Sequence, residues 1–381
     1  MDSPTPTPAS ENSATNFTTP LAAREQQLGA TFATWFGCTL PDRFSSLETE
    51  YRFARESAAL VDTNYRAFFE FTGPDRRRYL NAILTNEVPK NDPAEPNSPG
   101  VPALLLNPQG HILAELEIYS LPDRHLAISY RLVREKLAAE LDRYIIMDDV
   151  TLDDATDRLS SLAVEGPRSP EILRALGGPD LNDLPELGTA ETQLAGISAR
   201  IIHRAPGSTP GFDVLVDTPH LESLWDALLH EVQKHNGGPI GYQTLSTLRL
   251  EAGIPWFSYD FDDAVIPHEA GLEKTHISFS KGCYTGQEIV ERVRSRGHVN
   301  RQRVAVQIAG SAIPPPGAKL YAPDNLEKEA GRISHAAFSP KFNSTIAFAY
   351  LRRPFSSPGT ALALAPPDPT SASINVTVIE P

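Results

Sequence analysis

Lys281-Gly282-Cys283-Tyr284-Thr285-Gly286-Gln287-Glu288 concentrates more reactive groups than any other stretch of its length, setting one of only two cysteines between two glycines and beside a lysine. The residues that follow, Gln287 to Val293, have the helix formers and apolar spacing of a short amphipathic helix. Cys283 therefore falls just ahead of a helix start. A thiol there, with the Lys281 ammonium nearby, has its anion stabilised by backbone N–H groups and by positive charge, which makes it a nucleophile or a metal ligand. The other reading is a small buried hydrophobe, and the flanking glycines and lysine favour the reactive one. A covalent thiol enzyme would also need a base, for which His268, His276 or His298 would serve.

The octet resembles the K-G-C-[YF]-x-G-Q-E signature of the YgfZ-type folate-binding proteins, relatives of the glycine-cleavage aminomethyltransferase or T-protein, and matches all seven of its specified positions. The resemblance extends upstream. Gly73-Pro74-Asp75 with Thr85-Asn86-Glu87-Val88 is similar to one family segment, and Leu248-Arg249-Leu250-Glu251-Ala252-Gly253 with Tyr259-Asp260 and Pro267-His268-Glu269 to another. It implies a three-lobed α+β fold of the T-protein kind, with two related α/β subdomains and a C-terminal antiparallel β-barrel. It further implies a tetrahydrofolate, or a derivative, bound at the centre. A pterin presents an amine and a ring N–H side by side, so a carboxylate can accept both, and Glu251 is the candidate for that role, with Arg249 beside it or paired to it. Tyr284, Gln287, Glu288 and Arg292 join them as candidate folate contacts. Cys283, supported by Lys281, is then the working thiolate, and the implied role is assembly or repair of iron–sulfur clusters in client enzymes.

One departure separates the chain from the aminomethyltransferases. Their second hairpin strand carries an Asp-Asp pair that includes the catalytic acid, whereas Ala114 and Glu115 stand at the matching positions. One-carbon transfer of the aminomethyltransferase type is accordingly the alternative function. Glu115 would reach about one methylene further than an aspartate, and a misplacement on the order of 1 Å can cost ~100-fold in rate.

The elements that must carry these groups can be read in outline. Residues 1–20 are rich in Pro, Ser, Thr and Asn and are expected to form a disordered tail. Helical spacing is expected from Leu21 and over Leu47–Leu60, with Cys38 in a loop between them as a structural cysteine. Phe68–Gly73 reads as a strand entering a helix through Gly-Pro, and Leu162–Pro167 repeats that plan. Asn107-Pro108-Gln109-Gly110 has the residues of a hairpin turn. Gly211–Val216 and the helix His220–His235 complete a βαβ-like half, and Tyr242–Glu251 is a helix. From Arg301 short strands recur at even spacing, the pattern of a small barrel. The expected division is 1–20 tail, 21–300 folate-binding region in two parts meeting near 150, and 301–381 barrel.

Composition bounds the rest. The 381 residues exceed a single core, so two or three domains are expected. A net charge of −14 argues against general nucleic-acid binding through phosphate neutralisation. Against it, Lys281 to Arg303 carries six Lys/Arg and two Glu, a local +4 that is either a solvated face or a receiver for an anionic small molecule or an acidic protein. Two cysteines cannot supply the four thiolates of a cluster, so no permanently bound metal is expected and Cys283 would at most share one. No apolar run approaches ~20 residues, and the N-terminus lacks a basic region and an apolar core. A soluble cytoplasmic monomer without membrane contact, partnered by folate and iron–sulfur client or assembly proteins, is the expectation.

Overall fold

The computed structural model describes residues 17–90, 99–204, 210–365 and 373–380. Most of the expected tail lies outside the described residues. Its last part does not behave as a tail: Phe17 lies under the Arg131 guanidinium at 3.9 Å, and Thr19 is buried with its hydroxyl on Asp62. These residues join the packed body through the Phe17–Arg131 contact, the bridge from Thr18 to Thr39 and the Thr19 hydroxyl on the buried Asp62 carboxylate. Glu25 in the helix Ala22–Gln27 is also fully buried, and burial beside Asp62 pushes its carboxyl up to about 10.

Two sheets with the same wiring make the first two lobes. The first runs in the order Val101–Leu106, Ile112–Ser120, His125–Tyr130, Arg66–Thr72, Thr151–Asp154, with every pairing antiparallel. The second runs Thr189–Leu194, Ile197–Arg204, Gly211–Asp217, Leu159–Glu165, Ala59–Asp62, Gly238–Pro239, and only its last pairing is parallel. In each, a strand enters a short helix through Gly-Pro or Gly-Pro-Arg, and a three-strand meander then returns to pair with that strand. The repeat expected from the sequence is thus a repeat of topology. The meanders are antiparallel, with neighbouring strands following one another directly, while the βαβ-like reading holds at the edge of the second sheet, where the helix Leu221–Lys234 crosses from Gly211–Asp217 to the parallel two-residue strand Gly238–Pro239.

The turn residue of the repeat is glycine for a steric reason. At Gly166 φ is +110°, and an added Cβ would lie 2.6 Å from the Ser57 carbonyl oxygen and 2.9 Å from that of Ala54. Gly73 has φ +96° and an equally close backbone neighbour. Only a residue without a side chain lets strand, turn and neighbouring segment pack this closely.

The division near 150 is not followed by the sheets. Ala59–Asp62 precedes the first sheet in sequence but pairs in the second, and Thr151–Asp154 follows it but pairs in the first. The expected helix over Leu47–Leu60 stops at Glu56 for this reason, Ala59 and Leu60 being strand. Residues 31–43, read as helix then loop, form the hairpin Thr31–Trp35 and Cys38–Arg43, where Cys38 is fully buried among Trp35, Phe36, Leu40 and Tyr242.

The third lobe is a closed six-stranded barrel in the order Arg301–Ile308, Ser344–Arg352, Asn325–Ser339, Lys319–Ala322, Ala361–Leu364, Ile374–Ile379, whose last strand pairs back to the first. Val306, Ile333, Leu351, Leu362 and Val376 fill it, so the interior is a packed core. The helix Tyr242–Glu251, buried on most sides, ties the lobes together. Its Ser246 hydroxyl meets His335 Nε2 of the barrel at 2.9 Å, and its Thr244 hydroxyl donates to Glu50 of the helix Leu47–Glu56 at 2.8 Å. Among the described residues no helix is long and apolar enough to cross a membrane.

Candidate functional site

Where the three lobes meet the fold leaves a cavity of about 440 Å³, within the ordinary range for small-molecule sites. Strand periodicity places its charges. In Ile112–Ser120 the side chains alternate, so Ala114, Leu116 and Ile118 enter the core of the first lobe while Glu115 and Glu117 point the other way, into the cavity. Glu165 at the end of its strand and Arg204 and Asp213 from the meander come from the second lobe, and Arg303 comes from the barrel.

These charges form two groups. On one wall Asp213 accepts from both Arg66 and Arg204, and Arg204 also pairs with Glu117, which takes the Tyr119 hydroxyl at 2.9 Å. Burial alone would raise the Asp213 carboxyl, but the two guanidinium groups hold it below the usual range. Glu115 stands apart from that network, held by the Tyr130 hydroxyl at 2.9 Å and facing His276 Nε2 at 3.0 Å. Among the described residues Glu165 has no cationic partner in contact. Burial, followed by repulsion from Asp213, pushes it up to about 7.

Two further arginines line the cavity. Arg249 is almost wholly buried, and one of its terminal nitrogens pairs with Asp260 and reaches the Ile254 carbonyl at 3.3 Å, while Nε and Nη2 have no hydrogen-bond partner among the described residues. Its guanidinium stacks over Trp256 at 4.6 Å. Arg303 lies over Phe348 at 4.4 Å and donates Nε to the Ala270 carbonyl. Burial lowers both guanidinium groups, and nearby Asp260 offsets part of the effect. Donors left unsatisfied in a buried site are costly unless a ligand oxygen meets them.

Glu251 is elsewhere. Its side chain is fully buried, with Oε2 accepting from Tyr51 at 2.8 Å and Arg55 at 2.5 Å and Oε1 accepting from Ser339 at 2.5 Å. The expectation that it presents both oxygens to a pterin is corrected: those oxygens brace two helices and the barrel, and Glu251 does not line the cavity. Arg249, two residues earlier and so on a different side of the helix, does.

The octet also lies outside the cavity. Lys281 donates to the backbone carbonyls of Leu84 and Asn86 and packs over the Tyr284 ring at 5.1 Å, and burial brings its ammonium down to about 8. Tyr284 is buried against the first lobe, and Gln287 opens the helix Gln287–Arg296. Cys283 is exposed and lines a separate shallow cleft with Arg77, Arg78 and Lys281. Glu288 and Arg292 form a 2.7 Å surface pair, outside the central cavity. The basic strip is not one face: Arg294 pairs with Glu291, Arg301 with Glu269, and Arg303 turns into the cavity. Of the three candidate bases for the thiol, His276 is instead the partner of Glu115.

Two family descriptions match this architecture, the GCVT N-terminal domain over residues 21–281 and the glycine cleavage T-protein C-terminal barrel domain over residues 301–380. The chain belongs to the glycine cleavage T-protein family. Among its relatives, the aminomethyltransferase of Herpetosiphon aurantiacus is 27% identical over 335 residues, covering 88% of this chain and 90% of that one. That of Streptomyces avermitilis is 28% identical over 347 residues, covering 90% and 91%. The solved structure of the glycine cleavage system aminomethyltransferase T from Bartonella henselae superposes with a TM-score of 0.85 at 20% identity, over 96% of this chain and 97% of that one, which establishes the shared fold. The T-protein fold inferred from the motifs is therefore confirmed. The relatives bear the name of the alternative function, and the narrower YgfZ assignment rests on the octet.

Proposed function

We propose that the central cavity binds a tetrahydrofolate and that the protein transfers a one-carbon unit to or from it, with Glu115 as the acid–base group. The observation that carries this is the Glu115 carboxylate, pinned on both oxygens at the wall of a cavity that all three lobes build. The aminomethyltransferase names of its relatives support the reaction class.

The donor set fits such a ligand. Glu165, free of a cationic contact, suits the amine and ring N–H edge of a pterin, and the unpartnered Arg249 donors suit a carbonyl or carboxylate oxygen. When bound, tetrahydrofolate supplies the nitrogen that accepts the one-carbon unit. The chain's own residues orient it, exclude water through Trp256 and the apolar side chains Leu245 and Leu248, and hold or move a proton at Glu115 Oε.

Calorimetric titration of tetrahydrofolate into the full chain tests the binding. Affinity is expected to rise up to about tenfold from pH 6 to pH 8 as Glu165 ionises through about 7, and Glu165→Gln should flatten that dependence. With an aminomethylated lipoyl carrier as donor, turnover is expected in the ordinary range of ~1 to 1000 per second. Absence of folate binding would overturn the reading.

A second reading rests on one observation. Cys283 is exposed in a cleft away from the folate cavity, where a thiol acting on another protein would need to be, within an octet that matches the YgfZ-type signature. This favours a folate-dependent factor for iron–sulfur clusters, with Cys283 as the thiolate or a shared ligand. Folate binding without turnover, together with failure of Cys283→Ser to restore iron–sulfur enzyme activity in a strain lacking the protein, would select it.

A further inference from the structure

Glutamate is a poor choice where a carboxylate must be placed accurately, because it has one more rotatable bond than aspartate. In this chain the extra freedom is removed from two sides. Tyr130, at the end of the neighbouring strand, donates to Oε2 at 2.9 Å, and His276 Nε2 lies 3.0 Å from Oε1. The histidine itself is fixed. Its Nδ1 is 2.7 Å from the Thr275 hydroxyl, and its carbonyl oxygen accepts from the Thr85 hydroxyl at 2.7 Å. Thr85 is tied in turn to the first sheet, its hydroxyl oxygen accepting from the Leu104 amide at 2.8 Å and its amide donating to the Leu104 carbonyl at 3.1 Å. Leu104 is the cross-strand partner of Glu115. The chain of contacts therefore begins at the residue opposite the carboxylate and returns to the carboxylate through the imidazole.

We infer that His276 is a positioning residue for Glu115. With Nε2 on Oε1 and Nδ1 on the Thr275 hydroxyl, the imidazole holds the carboxylate in one rotamer, and each oxygen retains lone-pair capacity for a substrate N–H. The inference rests on the one-carbon reading above and goes beyond it, since it assigns the work of holding the acid to a residue from the segment that leads into the octet. Thr275 and His276 line the cavity, whereas Lys281 and Cys283, a few residues on, line the outer cleft.

The test uses the full chain with tetrahydrofolate and an aminomethylated lipoyl carrier. His276→Leu keeps bulk but removes the donor, and His276→Gln can place an amide nitrogen near the position of Nε2. For His276→Leu a fall in kcat of roughly 10- to 100-fold is expected, with the tetrahydrofolate Kd within about threefold of wild type, since misplacement of the acid affects the chemical step more than binding. His276→Gln should recover at least about tenfold of that loss, and the melting temperatures of both variants should stay close to wild type. Wild-type kcat in His276→Leu would overturn the inference. So would a parallel loss of kcat, folate affinity and melting temperature that glutamine does not rescue, because that is the behaviour of a purely structural residue. An inactive wild type is a different result: it overturns the transfer reading itself, and the positioning role with it.

Discussion

Glu251 and Glu115 were both visible as candidate acids, and the structure reverses the weight between them. A carboxylate flanked by Arg249 and a glycine reads as a ligand-binding group, yet Tyr51, Arg55 and Ser339 already satisfy its two oxygens. Removing one member of a buried ion pair leaves the other charge uncompensated, at a cost of about 3 kcal/mol. Glu251→Ala is therefore expected to lower stability by about that amount in denaturant titration while leaving tetrahydrofolate affinity within a few-fold of wild type. A large loss of affinity with unchanged stability would return Glu251 to the site. Glu115, by contrast, carried a usable signal. Two glutamates at alternate positions in an apolar strand, Leu113-Ala114-Glu115-Leu116-Glu117-Ile118, are unfavourable for a strand and mark one face as something other than core. Arg303 was marked only as the end of a basic strip, and Glu165, Arg66, Arg204 and Asp213 carried no signal at all, because they lie far apart in sequence and only the tertiary fold brings them together.

Elements were legible where their chemistry is local. The helix Tyr242–Glu251, the turn at Asn107-Pro108-Gln109-Gly110 and the barrel strands followed from spacing and turn residues alone. The hairpin over residues 31–43 did not, since Gly37 and Pro41 suggest a loop and its stability comes from aromatic packing with Tyr242, Trp256 and Tyr259. The octet shows both sides of this. Gly286 has φ +82°, and a Cβ there would lie 2.7 Å from the Asn107 carbonyl oxygen in the first-lobe hairpin. That glycine lets the helix Gln287–Arg296 start directly against the turn. Gly286→Val should cost about 1 to 3 kcal/mol through the strained backbone, with the contact adding to it. Limited proteolysis is expected to open first within residues 277–297, and a variant as resistant as wild type would show that the turn relaxes without harm.

For the whole molecule, interleaving matters more than the number of lobes. Ala59–Asp62 needs Leu159–Glu165 on one side and Gly238–Pro239 on the other, and Thr151–Asp154 needs Arg66–Thr72. A fragment ending near residue 150 keeps one sheet short of an edge and carries a strand with neither of its neighbours. It is expected to show no cooperative transition in a circular-dichroism melt, whereas the full chain should melt cooperatively; a sharp melt of the fragment would mean that the first lobe is autonomous after all. The same arrangement sets a schedule during synthesis. Ala59-Leu60-Val61-Asp62 leaves the ribosome about 100 residues before the strand that first covers it, a wait of roughly 5 to 20 seconds at ordinary elongation rates. Throughout that interval an apolar strand with both edges open is exposed on the nascent chain, so this protein's yield in a cell should depend on the holding chaperones that meet it there.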